Sequence, residues 1–368
     1  MPTRDIPKGG MRLFSSVPLL TGWLINATQG ETVSLINQPE EGVVMAEFDP
    51  NNGYDGYIAE QMKGIMARLS LSCSDAEELK RLFKLASDFE ERFTRDGETP
   101  QVFMPTAETS KALVSYFMWR LIRSCSVENG EYFRKAIEFH RTGGNVVIVS
   151  NHTGGIDAPA VDHVLGIFFG KAYLDLNRTW IAGKRIWDSK FLRMFSRCVD
   201  LLTMFGEKYV QSAVGTEAFS DMRRRNTAML NCMRNQGRRS LWFSYPSGTW
   251  SNLGQLMHGR PEFMDLLKSF GDKGERTIVL PAYLDGLDGP RGIVPPSPEQ
   301  LAGQDGFYDF LRMIRPGSVA MRFGSPLSGS KLYGMPNEQG IDAVMHAIAD
   351  LAPTEEARGP YARYLRKK

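Results

Sequence analysis

The sequence predicts an α/β fold: a mixed, largely parallel sheet flanked by helices, preceded by a small N-terminal helical domain. Three observations carry this. Val146 to Val149 is an unbroken run of β-branched residues, the pattern of a strand buried on both faces. Beyond it, strand-like and helix-like segments alternate to the end of the chain, as layered α/β domains require. Upstream, apolar residues fall at threes and fours from Tyr57 to Phe93, the period of amphipathic helices. The expected division is a helical unit with its N-terminal extension over residues 1–98, and an α/β domain over 99–368.

In chain order, residues 1–52 read weakly, with slight alternation from Thr32 to Phe48 and a turn cluster from Pro50 to Gly56. Met11 to Ala27 is interrupted by Ser15, Ser16, Pro18, Thr21 and Gly22, and is read as a docked strap in preference to a targeting segment. Ile58, Met62, Ile65, Met66 and Leu69 stripe a first helix. Ser74-Asp75 caps a second, striped by Leu79, Leu82, Phe83, Leu85, Phe89 and Phe93, with a charged face taken as solvated. Val102 to Met104 reads as a short strand, Ala107 to Cys125 as one helix, and Glu131 to His140 as another. After Asp157 come a helix to about Phe169, a strand at Trp180 to Ala182, a helix at Ser189 to Cys198 and an apolar run at Leu201 to Phe205. Then follow a single helix from Gln211 to Asn235, a strand at Ser240 to Tyr245, a helix at Glu262 to Phe270, strands at Thr277 to Pro281 and Ser318 to Phe323, and a last helix from Gly340 to Ala352.

Composition narrows the function. The chain has 368 residues, 42% hydrophobic and 23% charged, with a net charge of +2, so nothing global suggests a nucleic-acid partner. No run reaches the 18 or so apolar residues of a membrane span. Cys73, Cys125, Cys198 and Cys232 are scattered and read as thiols in a reducing compartment. The histidines form no metal-binding spacing, so no metal is expected.

The residues that could do chemistry gather after strands. His152 and Asp157 follow the β-branched run, where open α/β sheets place their sites. An imidazole beside a carboxylate can act as a base, the carboxylate fixing its tautomer. On spacing alone the plainer reading is favoured, with Asp157 a helix cap and His152 a polar turn residue. Pro246, Ser247, Gly248, Thr249 and Trp250 follow a second strand, and such a turn can hold an anion. Lys184, Arg185 and Lys208 trail two further strands, and Arg223-Arg224-Arg225 lies on a helix; each could meet phosphate, and each alone reads as a solvated face.

Taken together and in this order, these segments resemble the soluble, plastid-type glycerol-3-phosphate 1-O-acyltransferases of the glycerolipid acyltransferase superfamily. The resemblance rests on the His-x4-Asp of Ser-Asn-His152-Thr-Gly-Gly-Ile-Asp157, on Ala182-Gly183-Lys184-Arg185 through Lys208, on the arginines before Asn226-Thr227, and on Pro246-Ser247-Gly248. It covers roughly residues 55–350. It implies His152 as general base, Asp157 as its orienter, and a fatty acyl group passing from acyl carrier protein or coenzyme A to the sn-1 hydroxyl of glycerol 3-phosphate. No cofactor beyond that co-substrate is implied. Lys184, Arg185, Lys208 and the Pro246 to Trp250 loop would bind the small polar acceptor. A cytoplasmic setting is implied (plastid stroma in a photosynthetic eukaryote), with peripheral membrane contact compatible. The sequence departs from the family where Trp250 and Asn252 replace an Arg-x-Arg, Tyr209 replaces a His, and Arg197 stands two residues from an expected arginine at Val199. Lys184, Arg185, Arg223 or Arg260 would have to compensate. Otherwise the acceptor is a lysophospholipid or a non-phosphorylated alcohol, or the protein is a silent acyl- or carrier-binding homologue. Phe168, Phe169, Phe191, Met194 and Met204 are apolar candidates for the acyl chain, and Arg193, Arg197 and Arg223 to Arg225 for a carrier-docking surface.

Overall fold

A computed structural model describes residues 33–34, 73–95, 103–153, 157–183, 190–236, 240–248, 255–270, 273–286 and 317–362. The strap, the turn cluster at Pro50 and the helix expected from Tyr57 lie outside the described residues.

The described strands form one sheet. They are β1 (Val33–Ser34), β2 (Phe103–Met104), β3 (Ile122–Glu128), β4 (Asn145–Ser150), β5 (Arg178–Gly183), β6 (Asp200–Met204), β7 (Leu241–Ser244), β8 (Thr277–Asp285), β9 (Gly317–Phe323) and β10 (Leu327–Ser328). Their order is β1-β3-β9-β8-β4-β7-β5-β6-β2, with β10 beside β8. β4 runs parallel to β7 and β8, β5 parallel to β6 and β7, and β3 parallel to β9. The pairs β8–β9, β8–β10, β2–β6 and β1–β3 are antiparallel. This is the mixed, largely parallel sheet that the alternation predicts.

β4 is buried along its whole length, as its β-branched run requires. Successive side chains leave a strand on opposite faces. Val146 and Ile148 accordingly enter one apolar layer, and Val147 and Val149 the other. The first layer contains Leu113 and Phe117 of α2 (Glu108–Leu121), Phe133 of α3 (Gly130–Arg141), Val161 and Val164 of α4 (Asp157–Phe169) and Phe195 of α6 (Lys190–Ser196). A short α5 (Lys171–Leu174) follows α4. The second layer contains Met229 and Met233 of α8 (Glu217–Gln236), Met264 of α9 (Glu262–Lys268), Leu332 of α10 (Gly329–Tyr333) and Val344 of α11 (Asn337–Ala349).

α1 (Cys73–Arg95) is the helix expected after Ser74-Asp75, but its buried side is centred differently. Leu79, Leu82, Ala86 and Glu90 are buried, while Leu85, expected on the stripe, is exposed. Leu79, Leu82 and Ala86 join the first apolar layer. Glu90 bonds Arg193 and Arg197, both buried, so the charged face taken as solvated contributes a buried carboxylate.

Three boundaries moved. The helix expected from Ala107 to Cys125 ends at Leu121, and β3 begins at Ile122. Ile122 and Cys125 are three apart, a helical spacing, yet both are buried because β3 is irregular between Ile122 and Ser124 in its pairing with β9. The helix expected from Gln211 to Asn235 is two: α7 (Glu207–Ser212) and α8, parted at Gly215 with φ +85°. Glycine reaches that left-handed region without steric cost and commonly ends a helix. β8 continues through Pro281 to Asp285. Pro281 falls between the stretch paired with β10, at Ile278 and Val279, and the stretch paired with β9, from Ala282, where a missing ladder donor costs least.

Candidate active site

The parallel pairing of β4 with β7 aligns Val149 with Ser244. Both strands therefore end on one edge of the sheet, and the residues that follow each, His152 and Tyr245, meet there. Asn151 fixes the end of β4. Its buried amide donates to the Leu284 carbonyl at 2.7 Å and accepts from the Leu284 N–H at 2.7 Å, standing in for a backbone partner on β8. A reading that stopped at His152 had no signal for this role beyond the Ser-Asn that breaks the apolar run.

Asp157 opens α4 and is fully buried. Its Oδ2 accepts from the Thr153 N–H at 2.6 Å and lies 2.8 Å from His152 Nδ1, while Oδ1 accepts from the Thr153 hydroxyl at 2.7 Å. A buried carboxylate is tolerated when hydrogen bonds and a helix N-terminus offset its desolvation. Because a carboxylate oxygen can only accept, the contact requires the proton on Nδ1 and leaves the neutral ring's lone pair on Nε2. The His152 side chain is one-fifth exposed, so the ring sits at a boundary between core and solvent.

His163, six residues further along α4, has a different character. Its Nε2 is buried without a hydrogen-bond partner, and burial pulls its pKa down to about 4. Among the described residues no carboxylate orients it, and it stays neutral at ordinary pH.

Tyr245 closes the site from the β7 side. Its ring stacks on the His152 imidazole, centroids 4.0 Å apart and planes 7° apart. Trp180 of β5 lies behind it at 5.7 Å and stacks on Phe243 at 4.3 Å. Pro246 and Ser247 are buried in the turn that follows. The Gly248 N–H closes that turn on the Tyr245 carbonyl at 2.9 Å. Gly248 has φ +65°, and a Cβ there would come 3.2 Å from Arg260 Cδ, so both the backbone and the neighbour favour glycine. Arg260 donates its N–H to the Pro246 carbonyl at 2.9 Å and its Nε to the Ser247 carbonyl at 3.1 Å. An exposed guanidinium is thus pinned to the Pro-Ser-Gly turn.

Of the other expected binding residues, Lys184, Arg185, Thr249 and Trp250 lie outside the described residues. Gly183, just before Lys184, pairs with Met204 at the ends of β5 and β6, and Lys208 lies on α7. The proposed carrier-docking surface needs correction. Arg193 and Arg197 are buried against Glu90, Arg197 with its Nε on the Pro105 carbonyl, so neither offers a surface charge. Arg224 and Arg225 both pair with Asp221, and Arg223 is exposed over the Phe219 ring. Among the apolar candidates Met194 is fully buried core, Phe168 and Phe169 pack on the first layer and Met204 on the second; the side chain of Phe191 lies outside the described ones.

Residues 125–285 match the model of the family described as Acyltransferase. The match begins within β3 and ends with β8, so it includes His152, Asp157, the Pro-Ser-Gly turn and Arg260, and covers a little under half of the chain. It supports acyl transfer as the general activity. No curated protein matches the chain. No helix among the described residues is long and apolar enough to cross a membrane.

Proposed function

Starting from a central segment that matches an acyltransferase family, we propose that this protein is an O-acyltransferase with His152 as general base. It moves a fatty acyl group from the thioester of acyl carrier protein or coenzyme A to the sn-1 hydroxyl of glycerol 3-phosphate. The observation that carries the reading is the 2.8 Å contact between His152 Nδ1 and the buried Asp157 carboxylate, at the carboxyl edge of a parallel sheet. In the proposed reaction Nε2 takes the hydroxyl proton as the oxygen attacks the thioester carbonyl. The tetrahedral intermediate collapses by breaking the carbon–sulfur bond, and the departing thiolate takes the proton back from the imidazolium. No acyl-enzyme is needed, because the acceptor oxygen attacks the donor thioester directly.

The glycerol 3-phosphate assignment rests on the resemblance and on Arg260. The family's Arg-x-Arg is replaced here by Trp250 and Asn252, and a phosphate buried without cations is costly. Arg260 supplies a guanidinium at the same turn, held by Nε so that its terminal nitrogens can receive two phosphate oxygens. Arg260→Gln is expected to raise KM for glycerol 3-phosphate by roughly 10- to 100-fold, the worth of a charge-assisted hydrogen bond, with kcat little changed. An unchanged KM would remove Arg260 from the acceptor site.

Trp250 in place of arginine favours a second reading, in which the acceptor is a lysophospholipid or a non-phosphorylated alcohol. The deciding experiment measures thiol release by the purified protein from acyl carrier protein and coenzyme A thioesters. Glycerol 3-phosphate, a lysophospholipid, glycerol and a long-chain alcohol are offered in turn. Release that depends on glycerol 3-phosphate supports the first reading, and release with another acceptor supports the second. No acceptor-dependent release with either donor overturns both and leaves a binding protein.

A further inference from the structure

Tyr245 lies against the imidazole yet has no part in the mechanism above. Its ring is nearly parallel to the imidazole, 4.0 Å between centroids. For a neutral ring, face-to-face overlap of this kind is a weak arrangement. Once the imidazole carries a positive charge, the same geometry sets a cation over the negative face of the phenol. The contact is therefore worth more after the proton is taken than before, which is what accelerates a reaction.

We propose that Tyr245 is a positioning residue for the base, its π face fixing the plane of the His152 imidazole and stabilising the imidazolium as it forms. The proposal rests on His152 being the base. The hydroxyl of Tyr245 is buried and has no hydrogen-bond partner among the described residues, so the ring and not the phenol oxygen serves this role. Burial, with the Asp157 charge as a second cause, holds the phenol well above its usual range, so Tyr245 brings no charge at neutral pH. Trp180 of β5 backs the tyrosine ring and is uncharged. Asp157, at the start of α4, meets the imidazole through Nδ1, and Arg260, from the segment before α9, is the cation held at the adjoining turn.

The test replaces Tyr245 by phenylalanine and then by mono-, di- and trifluorinated phenylalanines, which weaken the face of the ring at nearly constant size. Tyr245→Phe should stay within about twofold of the parent in kcat, because it keeps the face. Successive fluorines should lower kcat stepwise, by about 5- to 30-fold at the end of the series, with acceptor KM unchanged. The acid limb of kcat/KM should move to lower pH in step, since a less stabilised imidazolium forms only at higher acidity. Tyr245→Leu should fall near the end of the series. A flat series, or a loss of rate that does not follow fluorine content, overturns the proposal. His152→Ala separates the two failures: if it is inactive while the fluorine series is flat, the base stands and Tyr245 does not act on it. If His152→Ala is active, the base assignment has failed first.

Discussion

His152→Ala is expected to lower kcat by about 10²–10⁴, the usual contribution of a general base, while leaving the fold in place. The fold should survive because the ring lies at the edge of the core, and because Asp157 keeps both hydrogen bonds from Thr153 when the imidazole is gone. Thermal unfolding of the variant should therefore stay close to that of the parent. Near-parent turnover in folded His152→Ala would end the base assignment. Asp157→Asn is the informative companion. Its carbonyl can still accept from the Thr153 N–H and from Nδ1, and its amide can donate to the Thr153 hydroxyl, which accepts as well as donates. Geometry and tautomer are then retained and only the charge is lost. A hydrogen bond to a charged partner is worth about 1.5–3 kcal/mol, so a loss of roughly 10- to 100-fold is expected, below that of the alanine variant where both are measured at one pH. A parent-like Asp157→Asn would mean that orientation alone matters.

The parts of this arrangement that local chemistry determines could be read from the sequence. Four β-branched residues in a row leave β4 no choice but a sheet interior, and a strand buried on both faces must end where polar residues begin, at Ser150. That placed His152 and Asp157 at the sheet edge. Their pairing was implied by the resemblance but could not be read from spacing alone, because it depends on Thr153 turning its N–H and hydroxyl back on the carboxylate. Tyr245 was visible only as the last residue of a strand; its stack on the imidazole follows from the register of β4 against β7, a long-range fact. β3 was hidden because its irregularity gives Ile122 and Cys125 a helical spacing, and the pairing with β9 overrides that local pattern. Arg197 was read as part of a carrier-docking surface, and nothing nearby in sequence reveals the carboxylate that claims it, 107 residues away on α1.

That carboxylate carries the largest expected effect on stability. Glu90 is fully buried, with Oε1 2.9 Å from an Arg197 terminal nitrogen and Oε2 3.3 Å from Arg193 Nε. Arg197 also lies over the Phe89 ring, and its backbone carbonyl accepts from the Ala107 N–H. The cluster thus joins α1, the start of α2 and the end of α6. Removing one partner of a buried ionic group strands the others in the core, and Glu90→Ala is expected to cost about 3–5 kcal/mol. For a chain of this size that corresponds to a fall of roughly 5 °C in Tm. Packing alone would predict a different pattern, so the decisive comparison is with Glu90→Met. Methionine restores most of the lost volume but none of the charge, and it should be nearly as damaging as alanine. Replacing Glu90, Arg193 and Arg197 together by methionine should recover most of the loss, because the charges that face one another there are removed together. If Glu90→Met is as stable as the parent, or the triple variant is worse than Glu90→Ala, the group holds the helices by shape and not by charge.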